Sequence, residues 1–167
     1  MPIVYTGKVF DIEVERARFP NGTEHTVEVV RHRPCVVLIP IRDDGQVVMI
    51  RQYRHSVKRV LWELPAGNID RGEPADAAAA RECEEEIRLV PHRLERLASL
   101  FPSPGYCDEE MFFYRAWDLR APATNSTRKP DEDEDIEVRP MPIAEAKALV
   151  ARAEIVDLKT AFALTLI

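Results

Sequence analysis

Apolar and polar residues alternate at period two through Asp11-Ile12-Glu13-Val14-Glu15, within a stretch from Gly7 to Arg18, and this predicts a strand with one face turned inward. Pro20-Asn21-Gly22 supplies a turn, and Thr26 to Arg31 is β-branched again, so an antiparallel hairpin is expected. It is too short to enclose a core, and must lie on the rest of the chain or on a second subunit.

The pattern changes at Cys35, where an apolar run to Ile41 predicts a strand buried on both faces. Asp43-Asp44-Gly45 reads as a hairpin turn into a return strand, Val47 to Ile50, which leads on to Arg51-Gln52-Tyr53-Arg54. Val60 to Leu64 extends briefly before Pro65-Ala66-Gly67. Further on, Val90-Pro91 reads as a break, Leu94 to Phe101 and Met111 to Trp117 as strands, and Pro102-Ser103-Pro104-Gly105 as a rigid loop. Residues 121–135 are polar and rich in Pro, Ser, Thr and acid, the composition of a loop. Ile136-Glu137-Val138 resumes a strand, and two helices are expected over Ala144–Ala153 and Asp157–Ile167, with Asp157 as N-cap. Together these elements predict an α/β fold with a mixed sheet and helices on both faces, preceded by the N-terminal hairpin. Residues 1–33 form that β region and 34–167 the main domain.

Between these strands lies an acidic helix. Gly72-Glu73-Pro74 predicts its start, with proline in the first turn, and Ala79, Ala80, Cys83 and Ile87 make one apolar stripe. Arg81, Glu82, Glu85 and Glu86 project from the other side. Glutamates three and four residues apart repel, and Arg81 can relieve only part of that through its i,i+4 pairing with Glu85. An all-oxygen patch of this kind suits Mg²⁺ or Mn²⁺, although the cluster alone favours the reading of a solvated charged face.

The spacing decides between those readings. Gly67, five residues, Glu73, seven residues, Arg81-Glu82, then Cys83, one residue, Glu85-Glu86 and a closing Leu89 is similar to the signature of the Nudix hydrolases, and the chain resembles that family. One position departs from it: Arg88 stands where the family usually has Gly just past the helix, so the helix either ends on a left-handed Arg, at a cost of about 1 kcal/mol, or ends differently. Outside the signature, Trp62-Glu63-Leu64-Pro65-Ala66-Gly67, the loop Ser103-Pro104-Gly105-Tyr106-Cys107-Asp108-Glu109 and the late acidic stretch Pro130 to Val138 resemble the ADP-ribose pyrophosphatase branch.

That resemblance implies an α/β/α Nudix sandwich and hydrolysis of a nucleoside diphosphate joined to a sugar, ADP-ribose first, giving AMP and ribose 5-phosphate. It implies Mg²⁺, with Mn²⁺ able to substitute, on Glu82, Glu85, Glu86 and the Ala66 carbonyl. It also implies a base from the late loop, either Glu132 or Glu134, with Arg81 and Glu73 orienting the site. Glu109 and Pro104 are implied near the substrate. Arg51 and Arg54 either bind phosphate or pair with surface acids, and the resemblance tips Arg54 towards phosphate. The branch forms homodimers with exchanged N-terminal sheets, so the hairpin is expected on a partner. GDP-mannose, ADP-glucose or another nucleotide sugar is the alternative substrate, and a non-catalytic Nudix-fold module is the alternative class.

Composition narrows the setting. The 167 residues, 46% of them hydrophobic, suffice for an independent core, and the net charge of −6 argues against nucleic-acid or anionic-membrane partners. Cys35, Cys83 and Cys107 are widely separated and form neither a disulfide framework nor a thiolate metal motif, which fits a reducing cytoplasm. His25, His32, His55 and His92 stand singly and read as surface or structural residues. The acids of 131–135 lack the glycine and distal glutamate of a Ca²⁺ loop.

Overall fold

The computed structural model describes residues 2–130 and 135–167. The alternating N-terminal stretch forms β2 (Phe10–Arg18) and β3 (Glu24–His32), paired antiparallel from Phe10↔His32 to Arg18↔Glu24. Gly22, at φ 84°, makes the turn between them, and its N–H donates to the Phe19 carbonyl at 2.9 Å. A strand the sequence did not suggest, β1 (Ile3–Thr6), pairs with β2 and completes a three-stranded sheet. As expected, this sheet has no apolar core. Its one buried side chain among the described residues is Glu13, whose carboxylate accepts from Arg31 Nε at 2.5 Å. Arg31 Nη1 reaches Asp108 at 3.1 Å, the His32 N–H donates to Asp108 Oδ1 at 2.8 Å, and the Val30 N–H donates to the Tyr106 carbonyl at 2.7 Å. The sheet is therefore joined to the body by polar ties.

The apolar run becomes β4 (Cys35–Pro40), buried at every residue. It is followed by β5 (Gln46–Arg54), β6 (Arg59–Glu63), β7 (Ala66–Asn68), α1 (Ala75–Ile87), β8 (Val90–Leu100), β9 (Met111–Arg120), β10 (Ile136–Pro142), α2 (Ile143–Ala151) and α3 (Leu158–Ala163), which ends in a 3₁₀ turn, Leu164–Leu166. The expected hairpin of β4 and β5 does not form. A single bridge, Ile41↔Val47, closes the turn, after which the strands part into different sheets. The first sheet runs β7-β4-β9-β8 and is mixed, with β4 parallel to β9; the second runs β10-β5-β6 and is antiparallel. Both edges of β4 are taken by β7 and β9, and both edges of β5 by β6 and β10, so neither strand has a free edge for the other. Val90-Pro91 likewise opens β8 and does not break the chain, because β8 is an edge strand, where a missing N–H is tolerated.

Alternation along β4 divides the core. Val36 and Leu38 join Val48, Ile50 and Tyr114 under α1, while Cys35, Val37 and Ile39 join Met49, Phe113 and Leu164 under α2 and α3. Helices thus cover both faces, as expected. Two polar ties fix their angles: Tyr114 Oη donates to Asp76 in the first turn of α1 at 2.6 Å, and Asp157 caps α3 by accepting from the Thr160 N–H at 3.0 Å. Among the described residues no helix is long and apolar enough to cross a membrane.

The end of β6 is tied to α3 by charge. Glu63, 1% exposed, accepts from Arg54 Nε and Nη2, each at 2.8 Å, and from Lys159 Nζ. Burial alone would raise the Glu63 pKa, but the Arg54 hydrogen bonds and the Lys159 charge outweigh it and hold it down at about 2. A depressed carboxylate stabilises the fold above its ordinary titration range, and that contribution is lost as pH falls from about 4.5 towards 2, on the order of 3 kcal/mol in all. At pH 6 the Glu63→Gln variant is expected to unfold at a lower urea concentration than the parent, and the gap should narrow below pH 4.5. A gap that stays constant down to pH 3 would contradict this assignment.

Candidate active site

The local sequence makes α1 helical through its alanines, but the proline precedes the helix and does not lie within its first turn. Pro74 is the N-cap, extended at φ −65° and ψ 142°, and its carbonyl accepts from the N–H groups of Ala77 and Ala78 at 3.0 Å. The buried stripe is Ala78, Ala79, Cys83 and Ile87, and Ala80 turns partly outward. At the far end Arg88 takes the left-handed conformation, φ 56° and ψ 37°, and closes the helix as a glycine would, with its N–H on the Glu84 carbonyl at 3.1 Å. Its side chain donates to the Arg128 carbonyl.

The acidic face is not solvated: Glu82, Glu84 and Glu86 are all buried. Arg81 is its organising cation. Its Nε and Nη2 grip the Glu73 carboxylate at 3.0 and 2.9 Å, its Nη1 donates to Glu82 at 2.6 Å and Glu85 at 2.8 Å, and Nη2 also meets the Asn68 carbonyl at 2.9 Å. The Glu73 hydrogen bonds, more than any other influence, raise the Arg81 pKa, and in return Arg81 lowers that of Glu73. Glu73 also accepts from the Asp70 N–H at 3.1 Å and so pins the loop ahead of the helix.

Two contacts bind the helix to β7. The Ala66 N–H donates to Glu86 Oε2 at 3.0 Å, and the Glu82 carboxylate lies directly over Gly67. A Cβ on residue 67 would stand 2.1 to 2.3 Å from the Glu82 carboxyl atoms, so only glycine admits this approach.

Beside this helix opens a cleft of about 580 Å³ at the strand ends where β4 and β9 begin. Of the residues singled out in the sequence, Ala66, Gly67, Arg81, Glu85, Arg54 and Glu109 line it. Glu82 and Glu86 sit beneath its helical wall. Arg51 is directed elsewhere: it pairs with Glu137 at 3.3 Å and stacks over Trp62, because residues 51 and 54 lie on opposite faces of β5. Pro104 lines a separate cavity of about 320 Å³ with Tyr106 and Asp108. Glu132 and Glu134 lie outside the described residues.

The structure adds residues the sequence reading did not single out for the site. Lys159, His32, Arg33 and Asp70 also line the cleft. His32, read as surface or structural, faces Glu109 at 3.7 Å from its Nδ1, and the same nitrogen lies 2.7 Å from the Arg33 carbonyl. The one local clue for Lys159 was a cation in the first turn of a helix, where the macrodipole disfavours it. Glu84, passed over as a spacer in the signature, accepts from the Ser126 hydroxyl and from Arg128 Nη1 at 3.1 Å, and so ties the 121–130 segment to α1.

The donor set fits a hard divalent cation. Carboxylate oxygens of Glu82 and Glu85 converge on one position, which the Arg81 Nη1 fills, and Gly67 leaves room for the Glu82 carboxylate. Among the described residues no three acidic, imidazole or thiol groups already form a metal cage.

Comparison with known proteins agrees with this geometry. The chain is 34% identical over 161 residues to an ADP-ribose pyrophosphatase of Bacillus subtilis (strain 168), covering 96% of this chain and 86% of the relative. It is 39% identical over 155 residues to an ADP-ribose pyrophosphatase of Mycobacterium tuberculosis, covering 92% and 74%. Proteins described as GDP-mannose pyrophosphatases match at 32% in Citrobacter koseri and 31% in Yersinia pestis. Among solved structures, an ADP compounds hydrolase superposes with a TM-score of 0.82 at 27% identity, covering 99% of this chain and 88% of the other. The family model of the NUDIX domain matches residues 31–161, and the chain with its Arg81-centred acidic helix belongs to the Nudix family.

Proposed function

We propose that this Nudix hydrolase cleaves the diphosphate of ADP-ribose, giving AMP and ribose 5-phosphate, with Mg²⁺ or Mn²⁺ on Glu82, Glu85, Glu86 and the Ala66 carbonyl. The observation that carries this reading is the intact cluster around Arg81, in a chain 34% and 39% identical to two ADP-ribose pyrophosphatases. One guanidinium shared by Glu73, Glu82 and Glu85 leaves those four groups net negative, which favours a further cation beside them. The metal, when bound, supplies positive charge for the diphosphate oxygens and acidity for water.

The chain's own residues divide the rest of the work. Glu73 fixes Arg81, and Arg81 holds Glu82 and Glu85 in register along the helix. Arg54, aimed by Glu63, presents its outer N–H groups to the phosphates, and Glu109 with His32 faces the sugar end of the cleft. Glu132 or Glu134 takes the proton from the attacking water. A nucleotide sugar such as GDP-mannose is the second reading, favoured by the relatives of that description, because the acidic helix does not discriminate the base. The retained acidic set argues against a non-catalytic module.

The N-terminal sheet exposes Ile3, Val4, Tyr5, Val9 and Phe10, and we take this apolar surface to pack on a second copy, giving a homodimer. Three free cysteines, two of them buried, suit a cytoplasmic location.

With Mg²⁺, a panel of ADP-ribose, ADP-glucose, GDP-mannose and NADH should give its highest kcat/KM on ADP-ribose; preference for GDP-mannose would move the assignment to the second reading. Glu86→Gln, which can still accept from the Ala66 N–H, and Gly67→Ala, which displaces Glu82, should each lower kcat about 10²–10³-fold with the fold retained, and near-normal turnover would remove the metal assignment. Of Glu132→Gln and Glu134→Gln, one should slow kcat by a similar factor; if neither does, the base is on α1. Tyr5→Asp with Phe10→Asp should convert a dimer to monomers in light scattering. A parent protein that is already monomeric would exclude this packing.

A further inference from the structure

Glu63 is almost wholly buried and does not line the cleft, yet both cations it anchors do. Arg54 approaches from β5 and spends two of its N–H groups on Glu63, at 2.8 Å each. Lys159 approaches from α3, donates to Glu63 Oε2, and lies 3.0 Å from Asp157 Oδ1. The lysine is held rigidly for a side chain of its length. Its neighbour Thr160 is fully buried and accepts the Leu64 N–H at 2.8 Å, so consecutive residues at the end of β6 hold consecutive residues of α3. A guanidinium carries five N–H donors and an ammonium three. After the contacts to Glu63 and Asp157, Arg54 keeps three and Lys159 one, and both border the cleft.

The two cations converge on Glu63, with Asp157 beside Lys159, and the N–H donors they keep on the open side are suited to the oxygens of an anion. We propose that Lys159 is a phosphate-binding residue of the cleft, which with Arg54 forms a clamp, set by Glu63, for the anionic oxygens of the substrate's diphosphate. Glu63 is then a positioning residue acting through both cations. Lys159 also stands at the boundary with an apolar chamber of about 420 Å³ under Phe113 and Phe162, so the clamp marks where the polar part of the cleft stops. This proposal rests on the diphosphate reading given above.

The test uses Lys159→Met, which keeps the stem and removes the charge, and Lys159→Arg, which restores it. The methionine variant should raise KM for ADP-ribose about 10–100-fold with kcat changed only a few-fold, and should weaken competitive inhibition by inorganic pyrophosphate to the same degree. The arginine variant should recover most of both. An unchanged KM and pyrophosphate inhibition in a folded methionine variant overturns the clamp, as does a lowered urea midpoint without a change in KM. Lys159→Gln, which can still donate to Glu63, replaces the methionine variant if that one does not fold. Should the parent protein hydrolyse no nucleotide sugar, the diphosphate reading fails, and calorimetric binding of pyrophosphate to parent and variant still decides whether Lys159 holds phosphate.

Discussion

One guanidinium holds the acidic helix together. Five glutamates on or against α1 would repel in any arrangement, and three of them, Glu73, Glu82 and Glu85, close on Arg81 within 3.0 Å. Burial strengthens every one of these contacts, because water that would screen them is excluded. The same contacts set the neighbouring backbone: Glu73 fixes the loop at Asp70, Glu82 lies over Gly67, and Glu86 takes the Ala66 N–H. Helix, loop and strand are therefore tied together, and the cleft inherits its helical wall from charge compensation as much as from the apolar packing of Ala79 and Cys83.

The parts of this site that were legible in the sequence are those whose partners lie close along the chain. Arg81 and Glu85 are four residues apart on one helix, and Gly67, Glu73 and Glu86 occupy a fixed spacing, so local geometry was enough to join them. The pairing of Glu63 with Lys159 spans 96 residues and joins a strand end to a late helix, and no periodicity carries that information. The division of β4 and β5 between two sheets was hidden for the same reason: Asp43-Asp44-Gly45 specifies a turn, and what the strands pair with afterwards depends on β7, β9, β6 and β10. Arg51 and Arg54 were separable in principle, since residues of opposite parity on a strand face opposite ways. The left-handed Arg88 shows a different limit, because residue identity disfavoured a conformation that the Glu84 and Cys83 carbonyls, awaiting donors at the helix end, still enforce.

The two ion clusters differ in their protein partners. Around Arg81 the carboxylates outnumber the cation, and the cluster is suited to gain a positive ligand. Around Glu63 and Asp157 the charges of Arg54 and Lys159 are matched, but both cations keep N–H donors to spare and both line the cleft. A metal-bound diphosphate would bring positive charge to the first cluster and oxygen acceptors to the spare donors of the second. The cleft thus carries surplus carboxylate at its α1 end and spare N–H donors at its α3 end.

The N-terminal sheet joins this arrangement at its rim. Val9, His32 and Arg33 line the cleft, yet the sheet carrying the first two is tied to the body through Asp108 and Tyr106, with Arg31 held on Glu13 and reaching Asp108, and not by an apolar core. Hydrogen bonds and ion pairs fix orientation more than they add net stability, since each replaces a contact with water. The body therefore does not depend on the sheet for its core, whereas the outer wall of the cleft depends on the sheet's angle. His32, facing Glu109 across 3.7 Å, is the point at which that angle sets the shape of the cleft wall.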